Sequence, residues 1–294
     1  MNVLFPTDGS RYALAAARFL SHWLPGPGVK VDLVSVIPIP GRDIRPGYGK
    51  SRSAEDRSRG QVARWQEATA EPLTAHGHDV NAVVREGAPA RTLVEMAEGG
   101  GYDLVVVGAK GRSETPHLKM GSVAKALLER APPSVLMVRE REPRDRGKKL
   151  PSRMRPFTLM LPTDGEPHSL AASRRFFDLL RIEELEVEIV TVLEEPGEGS
   201  PSEVEKRERE AEREAKVRLN VMENELARAP SAVRTEVLRG EPAAQVVARA
   251  EEAGADLLVL GSRGVREPDG LRVGSVALAI AQSAPCSVMV VREG

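Results

Sequence analysis

The chain has 294 residues; at roughly 150 residues per domain, that length suggests two domains. Hydrophobic residues make up 41% and charged residues 29%, which suits ordinary globular cores and excludes a disordered chain. The net charge of −1, the 3% aromatic content and the single cysteine, Cys286, exclude three classes: general nucleic-acid binders with a broad basic field, disulfide scaffolds and cysteine zinc sites.

In the first half, Val3–Pro6 reads as a short apolar strand and Ser10–Trp23 as a helix with apolar residues at three- to four-residue spacing. A second strand is expected over Val31–Ile37, a helix over Ser53–His76 and a third strand over Asn81–Arg85. Then come a helix at Ala90–Ala97, a wholly apolar strand at Leu104–Val107, a helix at Ser122–Arg130 and a last strand at Ser134–Val138. Residues 140–156 carry many charges, three prolines and no apolar periodicity, and read as a solvated connector. The second half repeats the series. Its long helix is expected from Ser202, with Glu205 as the capping-box partner, to Arg228. No apolar run approaches the ~18 residues of a membrane span, so no membrane partner is expected. Residues 1–5 enter an apolar strand without a basic segment, so no secretory signal is expected and a reducing cytoplasm fits.

The halves are copies. VLFPTDGSRYALAA at 3–16 matches LMLPTDGEPHSLAA at 159–172, and YDLVVVGAKG at 102–111 matches ADLLVLGSRG at 255–264. The offset is 156 for the first block and 153 for the second. This predicts domains at 1–140 and 157–294 joined by a linker at 141–156. Apolar strands alternating with helices predict an α/β fold: two tandem Rossmann-like domains, each with an open parallel sheet covered on both faces. Ligands of such sheets sit at the carboxyl edge of the strands, where the strand order switches.

At that edge lies the pattern G-x-x-G-x9-G-S, present twice. It comprises Gly108, Gly111, Gly121 and Ser122 in the first copy, and Gly261, Gly264, Gly274 and Ser275 in the second. Glycine lets backbone approach an anion closely, and a helix N-terminus offers unpaired N–H groups with partial positive charge. The serines stand where an N-cap or first-turn hydroxyl can donate. Lys110 and Arg263 between the first two glycines, and Lys119 and Arg272 before the last, add positive charge. A phosphate site is predicted, against the alternative of tight turns and a capped helix. Pro6-Thr7-Asp8 and Pro162-Thr163-Asp164 follow each first strand. Each Asp either faces a ribose, a base or a phosphate-bound metal, or closes an Asx-turn or helix cap.

These residues together, P-T-D-G-S, the strand ending at Val36 and the doubled glycine pattern, resemble the universal stress protein family over both units. The resemblance implies an adenine nucleotide alpha hydrolase-like fold of five strands per domain, with ATP, alone or with Mg, in the cleft. By position, Pro6, Thr7 and Asp8 would lie along the adenosine, and Val36 would meet adenine through its backbone. Gly108, Lys110, Gly111, Gly121, Ser122 and Val123 would hold ribose and phosphates. The second set is Pro162, Thr163, Asp164, Val192, Gly261, Arg263, Gly264, Gly274, Ser275 and Val276. Ser10 of the first unit is replaced by Glu166 in the second, followed by Pro167. The extra carboxylate is expected to weaken nucleotide binding there unless a cation intervenes or it points away. The resemblance also implies pairing through the last strands, Ser134–Arg139 and Ser287–Arg292, as an intramolecular pseudo-dimer, with a homodimer as the alternative.

The expected function is a cytoplasmic, nucleotide-dependent stress-response regulator that binds ATP or another adenine nucleotide. No catalytic residue is assigned. A slow Mg-dependent ATPase and a nucleotide-independent adaptor are the alternatives. The P-loop pattern G-x-x-x-x-G-K-[ST] and a dinucleotide fingerprint after the first strand are both absent. His76 and His78 are read as surface or turn residues, His117 as a loop residue and Cys286 as a small buried apolar group.

Overall fold

A computed structural model of the protein describes residues 1–26, 28–39, 52–112, 120–140, 156–165, 167–182, 185–226, 232–262 and 273–292, with backbone alone at 52–59, 167 and 168. The chain divides into two compact units, Met1–Glu140 and Arg141–Gly294. The connector predicted at 141–156 lies almost wholly outside the described residues.

Unit one contains β1 (Asn2–Pro6), α1 (Arg11–Trp23), β2 (Lys30–Ile37), α2 (Arg52–Ala75), β3 (Asp79–Glu86), α3 (Pro89–Gly99), β4 (Leu104–Gly108), α4 (Ser122–Arg130) and β5 (Ser134–Val138). Its strand order is β3-β2-β1-β4-β5, all parallel. β4 and β5 are buried at every residue, as strands covered on both faces require. α1 buries Tyr12, Ala13, Ala16, Ala17 and Leu20 on one stripe, and α4 buries Ala124, Ala126, Leu127 and Leu128. Small alanines let these helices sit close to the sheet. β3 lies at one edge and is mostly exposed; Asp79, Asn81, Arg85 and Glu86 leave it a poor template for strand addition.

Unit two repeats the plan with β6 (Phe157–Pro162), α5 (Pro167–Leu179), β7 (Leu185–Leu193), α6 (Pro201–Leu226), β8 (Val233–Arg239), α7 (Pro242–Glu252), β9 (Leu257–Gly261), α8 (Ser275–Ser283) and β10 (Ser287–Val291). Its order is β10-β9-β6-β7-β8, again parallel. Cys286 is buried as expected.

The start of α6 differs from the expectation. The capping box is Ser200 with Glu203, not Ser202 with Glu205. Ser200 donates its backbone N–H (3.0 Å) and its hydroxyl (2.6 Å) to the Glu203 carboxylate. Pro201 explains the shift: at the first helical position its missing N–H costs nothing and its φ is already helical. The serine ahead of the proline therefore takes the cap.

The placing of the site follows from the registers. β1 pairs with β2 from Asn2↔Lys30 to Pro6↔Val34, but with β4 only at Val3↔Leu104 and Leu4↔Val105. Past these pairs β1 leans on β2, where the Thr7 N–H reaches the Val34 carbonyl (2.8 Å). β4 leans on β5, where the Ala109 N–H reaches the Val138 carbonyl (2.8 Å). The two strands part, and a crevice opens at their carboxyl ends, at the switch in strand order. Unit two does the same. β6 and β9 pair only at Leu159↔Leu257 and Met160↔Leu258. The Thr163 N–H then bonds Val190 (2.8 Å) and the Ser262 N–H bonds Val291 (2.9 Å).

Candidate functional site

In unit one the crevice brings the predicted residues to one edge. Pro6, Thr7 and Asp8 end β1, and Val36, two residues past the level of Pro6, stands half-buried at the end of β2. Gly108, Ala109, Lys110 and Gly111 follow β4. Gly108 permits a close approach: a Cβ there would lie 2.9 Å from the Tyr12 backbone of α1. The Gly121 N–H bonds the Ala109 carbonyl (2.7 Å), folding the start of α4 back onto the loop.

The N-cap of α4 is Gly121 and not Ser122, and no side chain caps the helix. Ser122 is the first helical residue and is exposed. The first-turn amides thus keep their donor capacity. A Cβ on Gly121 would make only ordinary van der Waals contacts, none nearer than 3.5 Å. Lys110 is half-buried and finds no ionic or hydrogen-bond partner among the described residues.

Asp8 closes the Asx-turn foreseen as one of its roles, and does more. One carboxylate oxygen accepts from the Ser10 N–H (3.0 Å), and the other accepts from the Arg112 N–H (2.9 Å). The carboxylate therefore ties the β1 turn to the glycine loop, 104 residues away. A Cβ on Gly111 would stand 2.6 Å from that same oxygen, so glycine is required for the approach. Ser10, not Asp8, caps α1 by accepting from the Ala13 N–H (3.2 Å).

The sequence reading missed Trp65 and Arg112. Trp65, on α2, lies flat against Gly9, where φ is +70° and a Cβ would fall 2.1 Å from the indole. The Arg112 guanidinium stacks on that ring, 4.2 Å from its centre. A run of hydroxyls fixes the turn: the Gly9 N–H donates to Thr7 Oγ1 (3.3 Å), and Thr7 Oγ1 lies 2.9 Å from Thr69 Oγ1. Thr69 donates to the Trp65 carbonyl (2.7 Å), so the shared proton comes from Thr7.

Unit two keeps the frame and changes the lining. Gly274 caps α8 without a side-chain bond, and its N–H bonds the Ser262 carbonyl (2.8 Å). Ser275 is again the first helical residue, Val276 is exposed, and Gly261 ends β9. Pro162, Thr163 and Asp164 end β6 and Val192 lies near the end of β7. The Asp164 carboxylate accepts from the Ser169 hydroxyl (2.6 Å). Arg218 of α6 takes the place of Trp65: its stem lies on Gly165 (φ +79°), and its guanidinium donates to the Asp164 carbonyl (3.3 Å). Trp65 and Arg218 are 153 residues apart, the offset of the glycine loops, so they are equivalent positions of the two copies. Arg263, Gly264, Glu166, His117, Lys119 and Arg272 lie outside the described residues.

The description "Universal stress protein family" belongs to a family model that matches residues 1–139 and again 157–292. The chain belongs to the universal stress protein family. Among its relatives, a universal stress protein of Mycolicibacterium smegmatis is 28% identical over 239 residues, covering 81% of this chain and 78% of that one. A universal stress protein of Mycobacterium tuberculosis is 32% identical over 234 residues, covering 76% and 70%. The crystal structure of a universal stress protein from Archaeoglobus fulgidus superposes with a TM-score of 0.62 at 18% identity, covering 100% of this chain and 98% of that one. That likeness establishes the fold: tandem Rossmann-like units. Among the described residues, no helix is long and apolar enough to cross a membrane.

Proposed function

We propose that each crevice binds an adenine nucleotide, ATP in the first instance, and that the chain acts as a cytoplasmic, nucleotide-dependent stress-response regulator. The observation that carries this reading is the helix start at Gly121 without a side-chain cap, repeated at Gly274, beside Gly108 and Gly111 in the first unit and Gly261 in the second. First-turn amides without a side-chain cap, partial positive helix charge and Lys110, which has no partner among the described residues, suit phosphate oxygens. Asp8 and the end of β2 at Val36, beyond its last pair with β1, suit the polar edge of a nucleoside.

The residues fit a nucleotide better than a protein-held metal. Both oxygens of Asp8 are engaged by backbone N–H groups. Among the described residues no cluster of three His, Cys, Asp or Glu could hold a cation. Any Mg would come with the phosphates. Intrachain pairing through the last strands remains part of the proposal; sedimentation at the mass of one chain supports it, and at twice that mass supports the homodimer.

Calorimetric titration with ATP, ADP, AMP and cyclic nucleotides tests the binding. Saturable heat with at least one of them is expected; silence with all overturns the reading in favour of a nucleotide-independent adaptor. Turnover of ATP with Mg in the same samples separates a regulator from a slow ATPase. Hydrolysis lost in Asp8→Ala plus Asp164→Ala would place the chain with the enzymes.

A further inference from the structure

At the end of unit one away from the crevice, α1 and α2 finish side by side. Each closes on a histidine. The His22 Nδ1 lies 2.7 Å from the Arg18 carbonyl and the His76 Nδ1 lies 2.7 Å from the Pro72 carbonyl, each four residues back. A carbonyl oxygen can only accept, so in both rings the proton sits on Nδ1. In the neutral ring that leaves Nε2 as a bare lone pair. The rings are neighbours, with centres 5.1 Å apart and planes tilted by 48°. Both residues are exposed, and neither Nε2 has a partner among the described residues.

This is the arrangement of imidazoles that bind metals. A ligating histidine commonly donates its other N–H to a backbone carbonyl, which fixes tautomer and ring orientation before the ion arrives. Two such rings, 54 residues apart in sequence, stand side by side, each with an Nε2 lone pair left over. A third histidine, His78, lies buried beside them with neither ring nitrogen hydrogen-bonded; the Ser21 backbone nearby falls short of bonding geometry.

We propose that His22 and His76 form a two-histidine site for a divalent ion of the zinc class. Imidazole nitrogen suits such borderline cations over Mg²⁺ or Ca²⁺. No third protein ligand completes a cluster among the described residues. The ion therefore keeps water at its remaining positions, which makes the site exchangeable rather than structural.

Titration of the full nucleotide-free chain with Zn²⁺, followed by calorimetry, tests the proposal. Binding of one ion is expected, and H22Q and H76Q should each weaken it by about tenfold or more, since even outer partners of a ligand are worth that much. The H117Q/H168Q double variant should titrate as wild type. Unchanged melting midpoints for H22Q and H76Q confirm that the surface changes leave the fold intact. Absence of Zn²⁺ binding in wild type overturns the proposal, as does wild-type binding by either single variant.

Discussion

The Asp-Gly turn after β1 is where single residues decide most. Gly9 combines a positive φ with the indole of Trp65 against its Cα, so two separate constraints forbid a side chain. Gly9→Ala should lower stability by about 2 kcal/mol or more, through backbone strain plus displacement of the ring; urea unfolding measures it. Trp65 also offers a probe. Arg112 lies over its ring, and the Arg112 amide is held by Asp8. A nucleotide engaging the glycine loop shifts Arg112 and changes the polarity over the indole. Titration with ATP should therefore alter tryptophan emission in wild type and Trp23→Phe, and leave it unaltered in Trp65→Phe. Asp8 and the glycines were legible in sequence because the same types recur at fixed spacing in both copies. Trp65 was not. Its place over Gly9 depends on how α2 crosses the sheet, and nothing in the local pattern around residue 65 reports that.

At the scale of elements, each unit carries an acid on its second strand at the same place, and each solves the burial differently. Asp32 on β2 accepts from Asn81 (2.9 Å) and from the Tyr102 hydroxyl (2.7 Å). Burial, with the Asp32 bond second, pushes the Tyr102 pKa up to about 12. Glu188 on β7 instead faces Arg249 of α7 at 2.6 Å, and Glu236 shares that guanidinium at 2.7 Å. Burial raises the Glu188 pKa, and Arg249 opposes that rise. A carboxyl whose folded pKa is raised favours the fold fully below its unfolded pKa, and loses that advantage as pH rises through the folded value. Arg249→Met removes the opposing cation beside two carboxylates. It should cost about 3 kcal/mol at pH ~8, as a broken buried pair does, and progressively less as pH falls towards ~4. Thermal melts across that range measure it. The helices and strands themselves were foreseen to within a few residues, because burial on both sheet faces leaves unbroken apolar runs. The start of α6 was missed by two residues: the serine-to-glutamate spacing occurs twice in succession there, and Pro201 decides between the copies.

At the scale of the molecule, the duplication is the strongest fact in the sequence, and it explains why the same crevice arises twice. In each unit the parallel strands part between the first and fourth, which follows from one repeated order of elements. The copies then diverge where the frame does not depend on them. An aromatic ring lines the first turn and an arginine the second, at equivalent positions of α2 and α6. With different side chains over the two turns, the two sites should differ in salt dependence more than in the glycine frame they share. The histidine pair at the far end of unit one was hidden for the same reason as Trp65: His22 and His76 belong to different helices, and only their packing makes them neighbours.

The glycine caps give the most direct test of nucleotide binding at the helix starts. ATP titration by calorimetry should find two sites in wild type, one in Gly121→Val, one in Gly274→Val and none in the double variant. Gly121 has an ordinary φ of −79° and a Cβ there would make only ordinary contacts, so its change should cost about 1 kcal/mol of stability. A double variant that melts near the wild-type midpoint and still takes up ATP with wild-type affinity would contradict the account.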